Sequence, residues 1–323
     1  MHLVAIGGSD AGISAALRAR ELEPGTEVTV VVGDAYPNYS ICGIPYYVSG
    51  EVQDWRSLAH RSISDLEAAG LRLRLETTAR HLEVADHKLL VTDARGSEEV
   101  LAYDRLVVGT GAVPVCPPIE GLAGDGALGP DDGVHLLHSM GDTFSLMRTL
   151  AASAPARAVI VGAGYIGLEM AEALVARGLS VTQVEQLPEV LPTVDPPLGA
   201  LVRSNLIDHG VEVRTGTTVR RIGRARGGPA RLEVEATTVE GERVSLLTDL
   251  VLVVVGVRPD TELAGRAGAE LGVRGAIVVD RQMRTSLPEV FAAGDCAVTH
   301  HRLLGTTYLP LGTTAHKQGR VAG

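Results

Sequence analysis

Short runs of apolar residues separated by glycine-rich turns organise the chain, and two of these runs open a strand–helix–strand pattern. The first run, Leu3 to Ile6, leads into the turn Gly7 to Gly12. A stretch rich in Ala, Leu and Arg follows to Leu22, and a second β-branched run occupies Val28 to Val32. This order predicts the first half of a dinucleotide-binding fold.

The same pattern recurs in the middle of the chain. Ala158 to Val161 precedes the turn Gly162 to Gly167, a helical stretch continues to Arg177, and a second strand is predicted at Val181 to Val184. Glu185 closes that strand about 20 residues beyond the glycines, which is the spacing of a carboxylate that binds adenosine ribose hydroxyls.

The two glycine turns differ in how closely they match the dinucleotide motif. In the second turn, Gly162 permits a tight turn, Gly164 lets a pyrophosphate approach the backbone and Gly167 lets helix and strand pack closely. In the first, Ser9 stands where the middle glycine of GxGxxG is expected, so that match is weaker. Two such units predict two dinucleotide sites; the alternative is a glycine-rich turn that binds no nucleotide.

Further alternating or apolar runs predict strands between and after the two units. The run at 250–255 is continuous and apolar, which is typical of a parallel strand buried on both faces. The segment 225–230 predicts a hairpin-type loop. The other predicted strands are 71–75, 79–84, 88–91 and 100–108 in the first half and 211–214, 232–238 and 244–247, a small antiparallel set, in the second.

Composition narrows the classes of function. The chain has 323 residues, of which 45% are hydrophobic and 3% aromatic, and a net charge of -10, so nucleic acid is not an expected partner. No apolar run approaches the ~20 residues of a membrane span, and the chain enters a strand at once without a signal-peptide pattern. Cys42, Cys116 and Cys296 have no zinc-site or CxxC spacing, so no metal site is expected. We therefore expect a cytoplasmic protein with free thiols.

One cysteine stands at a place suited to chemistry. Cys42 lies in the stretch Tyr36 to Tyr47, immediately before a predicted helix with Pro45 in its first turn. A thiol there faces backbone N–H groups and the positive end of a helix dipole, both of which favour the thiolate. The alternative is a buried, inert cysteine. The two nucleotide motifs imply a redox enzyme and favour the reactive interpretation.

Taken together, the motifs make the sequence resemble the FAD-dependent pyridine nucleotide-disulfide oxidoreductases. The ordered set of segments is far more specific than any one of them and spans nearly the whole chain. The matching segments are 7–12, 40–47, 110–114, 162–169 and 285–296, with 255–260 and 311–315 also in agreement.

The resemblance implies an α/β fold with two Rossmann-like dinucleotide-binding domains, each a three-layer ββα arrangement, with the NAD(P)H domain inserted in the FAD domain. It places the FAD-binding domain at 1–113 and 249–323 and the NAD(P)H-binding domain at 114–248. The cofactors implied are FAD and NADH, with NADPH as the alternative. The implied cofactor-binding residues are Gly7, Gly8, Ser9, Asp10, Ala11, Gly12, Asp34, Ser40, Thr110, Gly111, Ala112, Gly162, Gly164, Tyr165, Ile166, Gly167, Glu185, Gly256, Gly294, Asp295, Gly312 and Thr313.

Three of these residues carry specific expectations. By resemblance, Asp295 binds a ribityl hydroxyl of FAD, although it could instead cap a helix. Tyr165 resembles the aromatic residue that covers the flavin until nicotinamide displaces it; packing at the start of a helix is the alternative. Glu185 favours NADH over NADPH, because a carboxylate repels the 2′-phosphate.

The cysteine pattern places the chain in a single-cysteine subgroup. Members with an internal redox disulfide carry CxxC or CxxxxC, but Tyr47 occupies the second position here. The sequence around Cys42 is similar to coenzyme A disulfide reductases, NADH oxidases and persulfide reductases. This implies that Cys42 is catalytic and that the substrate is a small disulfide or persulfide, with a coenzyme A-type compound among the candidates. The alternatives are an NADH oxidase or ferredoxin-type reductase on the same frame, and a flavin-binding redox sensor without turnover.

The sequence departs from the family at three places. The acidic residue expected at the end of the second strand is replaced by Val32, and Asp34 follows two residues later. Either Asp34 substitutes for it or the contact with the FAD ribose is lost. Ser9 replaces the middle glycine of the first turn. Relatives continue beyond the position of Gly323 into a C-terminal dimerisation domain, so the resemblance implies homodimers among relatives and a core without that domain here.

Overall fold

The secondary structure comes from a computed structural model that describes residues 1–228 and 230–323. The helices are α1 Asp10–Leu22, α2 Ile44–Ser49, α3 Ile63–Ala68, α4 Met140–Ser153, α5 Tyr165–Ala176, α6 Pro196–Asp208, α7 Glu262–Arg266 and α8 Gly312–Ala322. The strands are β1 His2–Ile6, β2 Glu27–Val31, β3 Leu71–Arg74, β4 Thr77–Glu83, β5 Lys88–Asp93, β6 Glu98–Ala102, β7 Arg105–Val108, β8 Ala112–Pro114, β9 Val134–Leu136, β10 Arg157–Val161, β11 Ser180–Val184, β12 Glu212–Arg214, β13 Thr217–Arg224, β14 Leu232–Thr238, β15 Arg243–Thr248, β16 Leu250–Val253, β17 Val257–Pro259, β18 Val290–Ala292, β19 Thr299–His301 and β20 Gly305–Thr307. Short 3-10 turns occupy Ile41–Gly43, Trp55–Leu58, Pro130–Asp132 and Val273–Gly275.

The described chain forms two compact units. The first contains 1–40, 59–113 and 258–323, and the second contains 41–58 and 114–257. This division differs from the predicted domains at two segments. Residues 41–58 lie with the second unit, and the second unit extends past residue 248 because β16 pairs with β10 in its parallel sheet. Which unit binds which cofactor stays a prediction.

The first unit is built around a five-stranded parallel sheet of order β18-β7-β1-β2-β3. Successive side chains of a strand point to opposite faces, so the two faces of β1 have different neighbours. Leu3 and Ala5 share an apolar cluster with Ile13 of α1. Val4 shares another with Leu89 of the antiparallel sheet β4-β5-β6. Helix, parallel sheet and antiparallel sheet therefore stack in three layers, as predicted.

The second unit repeats this plan. Its parallel sheet has the order β12-β11-β10-β16-β9, and its antiparallel sheet is β13-β14-β15. Val159 of β10 and Val234 of β14 belong to one buried cluster, which joins the two sheets. The fully buried strand β16 pairs in parallel on both sides, which confirms the prediction for 250–255. The predicted α/β class with two Rossmann-like units is therefore correct.

Two strand predictions were wrong. The run 211–214 was assigned to the antiparallel set, but β12 pairs in parallel with β11, and the missing antiparallel strand is β13. The run 100–108 is two strands, because the chain leaves the antiparallel sheet after β6 and enters the parallel sheet at β7. At that break Asp104 accepts a hydrogen bond from the backbone N–H of His2 at 2.6 Å. The antiparallel pair β13 and β14 flanks the predicted hairpin loop 225–230, in which Pro229 lies outside the described residues.

Across 1–228 and 230–323, every helix is too short or too polar to cross a bilayer.

Candidate functional site

Two glycine turns with the same backbone geometry form the frameworks of two candidate sites, one in each unit. In the first unit the N–H of Gly7 donates to the carbonyl of Val31 at 2.8 Å. In the second the N–H of Gly162 donates to the carbonyl of Val184 at 2.8 Å. Each turn runs from the central strand of its parallel sheet into a helix that starts three residues later.

The helices after the turns begin without a side-chain cap. Ser9 and Gly164 occupy the N-cap positions of α1 and α5, and neither contributes a side-chain capping hydrogen bond. The first-turn N–H groups and the helix dipole therefore remain suited to a phosphate. Ser9 has a φ of -101° and Gly164 a φ of -79°, so this position does not require glycine's left-handed freedom. This explains why serine is compatible with the first turn.

Glu185 holds the second turn. Its side chain is buried, Oε2 accepts a hydrogen bond from the N–H of Ala163 at 2.8 Å, and Oε1 accepts one from the N–H of Leu187 at 2.9 Å. The carboxylate therefore lies against the turn predicted to carry the pyrophosphate. A charged acceptor in this place suits the paired hydroxyls of a ribose.

The first turn has a different arrangement at the end of its second strand. The residue after β2 is Val32, which is buried. The exposed carboxylate of Asp34 accepts a hydrogen bond from the N–H of Tyr36 at 2.8 Å. Asp34 also lines a surface pocket of about 590 Å³, together with Arg80 and Asp93. A carboxylate is present near this turn, but not at the position that Glu185 occupies in the other.

Asp295 in the first unit has a carboxyl group with a raised pKa. Its Oδ1 is buried and has no hydrogen-bond partner in the structure. Burial, together with the nearby charge of Asp10, raises the pKa of the Asp295 carboxyl to about 6. An unpartnered buried acceptor implies a hydroxyl or N–H donor on a ligand, which fits the predicted ribityl contact. No helix begins at the residues after Asp295 in the described chain, so the alternative role as a helix cap is wrong.

The loop that carries Asp295 is fixed by a buried glutamine on α8. Gln318 accepts a hydrogen bond from the N–H of Gly294 at 2.8 Å and donates one to the carbonyl of Val298 at 3.0 Å. At the start of α8, a Cβ atom on Gly312 would lie 3.1 Å from Oδ2 of Asp10. Gly312 therefore lies beside Asp10, and Gly294 lies beside Ala11, the residue that follows Asp10. Thr313 follows in the first turn of α8. That these residues bind FAD stays a prediction.

The predicted segment 110–112 lies in the same unit. The hydroxyl of Thr110 donates to the carbonyl of Asp260 at 2.5 Å, and the N–H of Asp260 donates to the carbonyl of Gly111 at 3.0 Å. These two bonds tie the loop after β7 to the loop after β17. Ala112, at the start of β8, is buried.

Asn38 is a candidate ligand-binding residue that the sequence did not indicate. It is buried, with a φ of 59°, and its N–H donates to the carbonyl of Gly8 at 2.6 Å. Its Oδ1 is buried without a partner, so it is a second acceptor available to a ligand near the first turn. Asparagine is enriched in the left-handed region, but nothing in the local sequence indicates the contact with Gly8. Ser40, two residues later, is half-buried.

Cys42 lies at the surface of the second unit. It is in the 3-10 turn Ile41–Gly43, its side chain is exposed, and α2 follows directly with Pro45 in its first turn. The predicted helix start is correct, and the alternative of a buried cysteine is wrong. Cys116 is also exposed, whereas Cys296 is fully buried. Cys42 is therefore accessible to a dissolved disulfide.

The helix after Cys42 is anchored inside the second unit. The side chain of Arg177, at the end of α5, donates to the carbonyl of Val48 in α2. The ring of Tyr47 meets Phe144 edge-on at 6.5 Å, and Trp55 meets the same ring at 5.0 Å. These contacts hold the cysteine segment against α4 and α5, the helix that follows the second turn.

The remaining predicted residues also lie in the second unit. Tyr165, the first residue of α5, is 54% exposed, and its hydroxyl accepts a hydrogen bond from Thr193 at 3.0 Å. It is not simply packing at the helix start. Ile166 is half-buried, and a Cβ on Gly167 would collide with the carbonyl oxygen of Gly162. Gly256 is exposed with a φ of 110°, and its carbonyl accepts from the N–H of Val115 at 2.9 Å.

Comparisons with known proteins agree with this architecture. The family model described as pyridine nucleotide-disulphide oxidoreductase matches residues 1–319. An NADH oxidase of Methanocaldococcus jannaschii is 33% identical over 326 residues, covering 100% of this chain and 69% of that protein. A CoA-dependent NAD(P)H sulfur oxidoreductase of Pyrococcus abyssi is 33% identical over 323 residues, covering 99% of this chain and 68% of the other. The solved NAD-dependent persulfide reductase of A. fulgidus aligns with a TM-score of 0.89 and 35% identity, over 99% of this chain and 58% of that one.

Proposed function

We propose, from the premise that the chain belongs to the pyridine nucleotide-disulfide oxidoreductase family, that it moves an electron pair from NADH through FAD to a small sulfur compound at Cys42. The family's cofactors, FAD and NAD(P)H, are those predicted from the sequence. FAD, when bound, supplies a carrier that accepts hydride from the nicotinamide and delivers electrons to sulfur.

The single observation that carries this proposal is the exposed Cys42 thiol at the start of α2. An accessible cysteine can meet a dissolved disulfide, and its thiolate form is the nucleophile that attacks it. The same unit holds the second glycine turn with Glu185 buried against it. An exposed thiol and a well-formed nucleotide turn in one unit are expected of a sulfur reductase.

Cys42 supplies the covalent step of the proposed reaction. Its thiolate attacks one sulfur of a disulfide RSSR, a bond forms between the two sulfurs, and the RS⁻ thiolate leaves. Two electrons then cleave the mixed disulfide, which returns Cys42 as thiolate and releases the second RS⁻. Two protons, one of them from NADH, complete the balance: NADH, a proton and RSSR yield NAD⁺ and two RSH.

The sulfur substrate is proposed from the relatives. The Pyrococcus abyssi relative is named a CoA-dependent NAD(P)H sulfur oxidoreductase and the A. fulgidus relative a persulfide reductase. Because this chain spans 58% to 69% of three compared proteins, coenzyme A disulfide and coenzyme A persulfide are candidate substrates to be tested. NADH is the proposed donor, since Glu185 disfavours a 2′-phosphate. Cytoplasmic localisation and the oligomeric state stay predictions.

The test compares two exposed cysteines. NADH oxidation by the flavin-loaded chain is followed without oxygen, with coenzyme A disulfide as acceptor, for the wild type, Cys42→Ser and Cys116→Ser. We expect Cys42→Ser to lose at least 100-fold in kcat, because no mixed disulfide can form, and Cys116→Ser to change it less than twofold. Equal rates for Cys42→Ser and the wild type would refute the thiol mechanism.

Oxygen as the acceptor is the second candidate function, favoured by the relative named NADH oxidase. It requires NADH consumption with oxygen alone at a rate that exceeds that with coenzyme A disulfide under anaerobic conditions. A sulfur reductase gives the reverse order. The same pair of assays therefore separates the two.

A further inference from the structure

We propose that Val32 removes the ribose carboxylate from the first nucleotide turn, so that this chain holds FAD as a readily dissociable ligand. A carboxylate in place of Val32 would convert the first turn to the arrangement of the second. This inference rests on the proposed flavin site in the first unit. It concerns only how tightly that site holds the adenosine half of FAD.

The two units contain an internal structural repeat. The two turns and the strand ends beside them make the same backbone hydrogen bonds at the same relative positions, with lengths equal to within 0.1 Å. This sets the correspondence residue by residue. The matched N–H to carbonyl pairs are Gly7 to Val31 with Gly162 to Val184, Val32 to Arg74 with Glu185 to Arg214, Thr77 to Val32 with Thr217 to Glu185, and Glu76 to Asp34 with Gly216 to Leu187.

Within this repeat, Val32 occupies the position of Glu185. Gly8 likewise corresponds to Ala163, whose N–H donates to Glu185 at 2.8 Å. In the first turn, Val32 packs so closely on Gly8 that a Cβ atom there would lie 2.5 Å from Cγ1 of Val32. An isopropyl group therefore fills the space that the carboxylate fills in the second turn, and it offers no acceptor to a ribose.

Asp34 does not replace the missing group. It corresponds to Leu187, two residues beyond the ribose position. The Asp34 carboxylate accepts a hydrogen bond from the N–H of Tyr36, and the Glu185 carboxylate accepts one from the N–H of Leu187. Both units therefore contain the same carboxylate-to-backbone turn, but in the first unit it lies two residues further along the chain. Asp34 is exposed rather than packed against its glycine turn.

The expected effect is large enough to measure. A hydrogen bond to a charged group contributes enough that its loss weakens binding about 10- to 100-fold. FMN has the same isoalloxazine and ribityl groups as FAD but lacks the adenosine. Any effect of position 32 should therefore appear with FAD and not with FMN.

The experiment measures flavin release from the loaded full chain on dilution, by the recovery of free flavin fluorescence. The wild type, Val32→Glu and Val32→Gln are each loaded with FAD and, separately, with FMN. We expect Val32→Glu to lower the Kd for FAD at least 10-fold and to change that for FMN less than threefold. Val32→Gln, with the same length and no charge, should improve FAD binding less than threefold.

Several outcomes would overturn the inference. One is a folded Val32→Glu that binds FAD no more tightly than the wild type. Another is an equal gain for FMN, which would place the effect away from the ribose. Asp34→Asn covers the case in which Val32→Glu does not fold: less than a threefold loss of FAD affinity supports the inference, and a 10-fold loss shows that Asp34 holds the ribose. Failure of the wild type to take up either flavin would instead refute the proposed function.

Discussion

Two carboxylates near the carboxyl ends of parallel strands have opposite environments. Glu185, directly after β11, is buried, and both of its oxygens accept hydrogen bonds from backbone N–H groups of its own unit. Asp295, three residues after β18, has a buried Oδ1 without a partner, and burial beside Asp10 raises the pKa of its carboxyl to about 6. One carboxylate is already satisfied by the fold, and the other is not.

The difference shows two ways in which a protein prepares a nucleotide site. Glu185 fixes the conformation of its turn, so it stabilises the fold and orients the ribose site together. Asp295 bears the cost of a buried, unsatisfied acceptor, which a ligand hydroxyl would relieve. Glu185 should therefore govern which nucleotide is accepted, and Asp295 how tightly the flavin is held.

The largest expected effect is on flavin affinity. Asp295→Asn keeps the size of the side chain but removes its charge, so a hydroxyl donor loses a charged acceptor. We expect FAD and FMN affinity to fall by about 10- to 100-fold alike, because the ribityl chain is common to both. Flavin release from the loaded chain measures this, with exposed Asp86→Asn as the control. An unchanged affinity would separate Asp295 from the flavin.

A smaller effect is expected for nucleotide choice. Glu185→Gln retains an oxygen that can accept from Ala163 or Leu187 but lacks the charge that repels a 2′-phosphate. We expect the ratio of kcat/KM for NADH over NADPH to fall roughly 10-fold, with FAD affinity unchanged. Exposed Glu240→Gln, in the same unit, is the matched control. A variant that keeps the wild-type ratio would assign the preference to another residue.

The sequence predicted one of these carboxylates better than the other. The place of Glu185 follows from local spacing, because strand, turn, helix and strand fix which residue ends beside the glycines. The start of α2, with Pro45 in its first turn, is local in the same sense. The resemblance supplied the role of Asp295, but its environment depends on Asp10 and Gln318, which are 285 and 23 residues away in the sequence. The order of residues within one strand, turn or helix carries no information about contacts between residues so far apart in the sequence.

The same limit explains the strand errors and the missed asparagine. Alternation in 211–214 indicates a strand but not its partner, and β12 pairs with β11 because the second βαβ unit continues into it. Asn38 looks like any turn residue, although it lies on the backbone of Gly8. For Val32 the sequence left open whether Asp34 takes over the ribose contact, and only the matched backbone hydrogen bonds place Asp34 at the position of Leu187 instead of that of Glu185.

A third expected effect is the pH dependence of stability in the flavin-free chain. The ordinary pKa of an aspartate is 3.8 and that of Asp295 in the fold is about 6, so the folded state binds this proton more tightly. The contribution of Asp295 to stability is therefore greatest below pH 4, falls as pH rises to 6 and stays low above it, by about 3 kcal/mol in all. The groups that face this carboxyl are Asp10, Cys296 and Tyr308.

Urea denaturation of the flavin-free wild type and Asp295→Asn isolates this contribution. Other carboxylates titrate in both chains, so the difference between the two free energies of unfolding is the quantity to follow. We expect Asp295→Asn to be the more stable chain at pH 7.5 and to lose most of that advantage at pH 4.5. Asp295→Asn would then bind flavin less tightly but be the more stable protein without flavin. This is the result expected if the Asp295 carboxylate destabilises the empty fold and is satisfied only by a ligand. A difference independent of pH would mean that Asp295 is ionised in the fold as readily as in water, and the contrast with Glu185 would disappear.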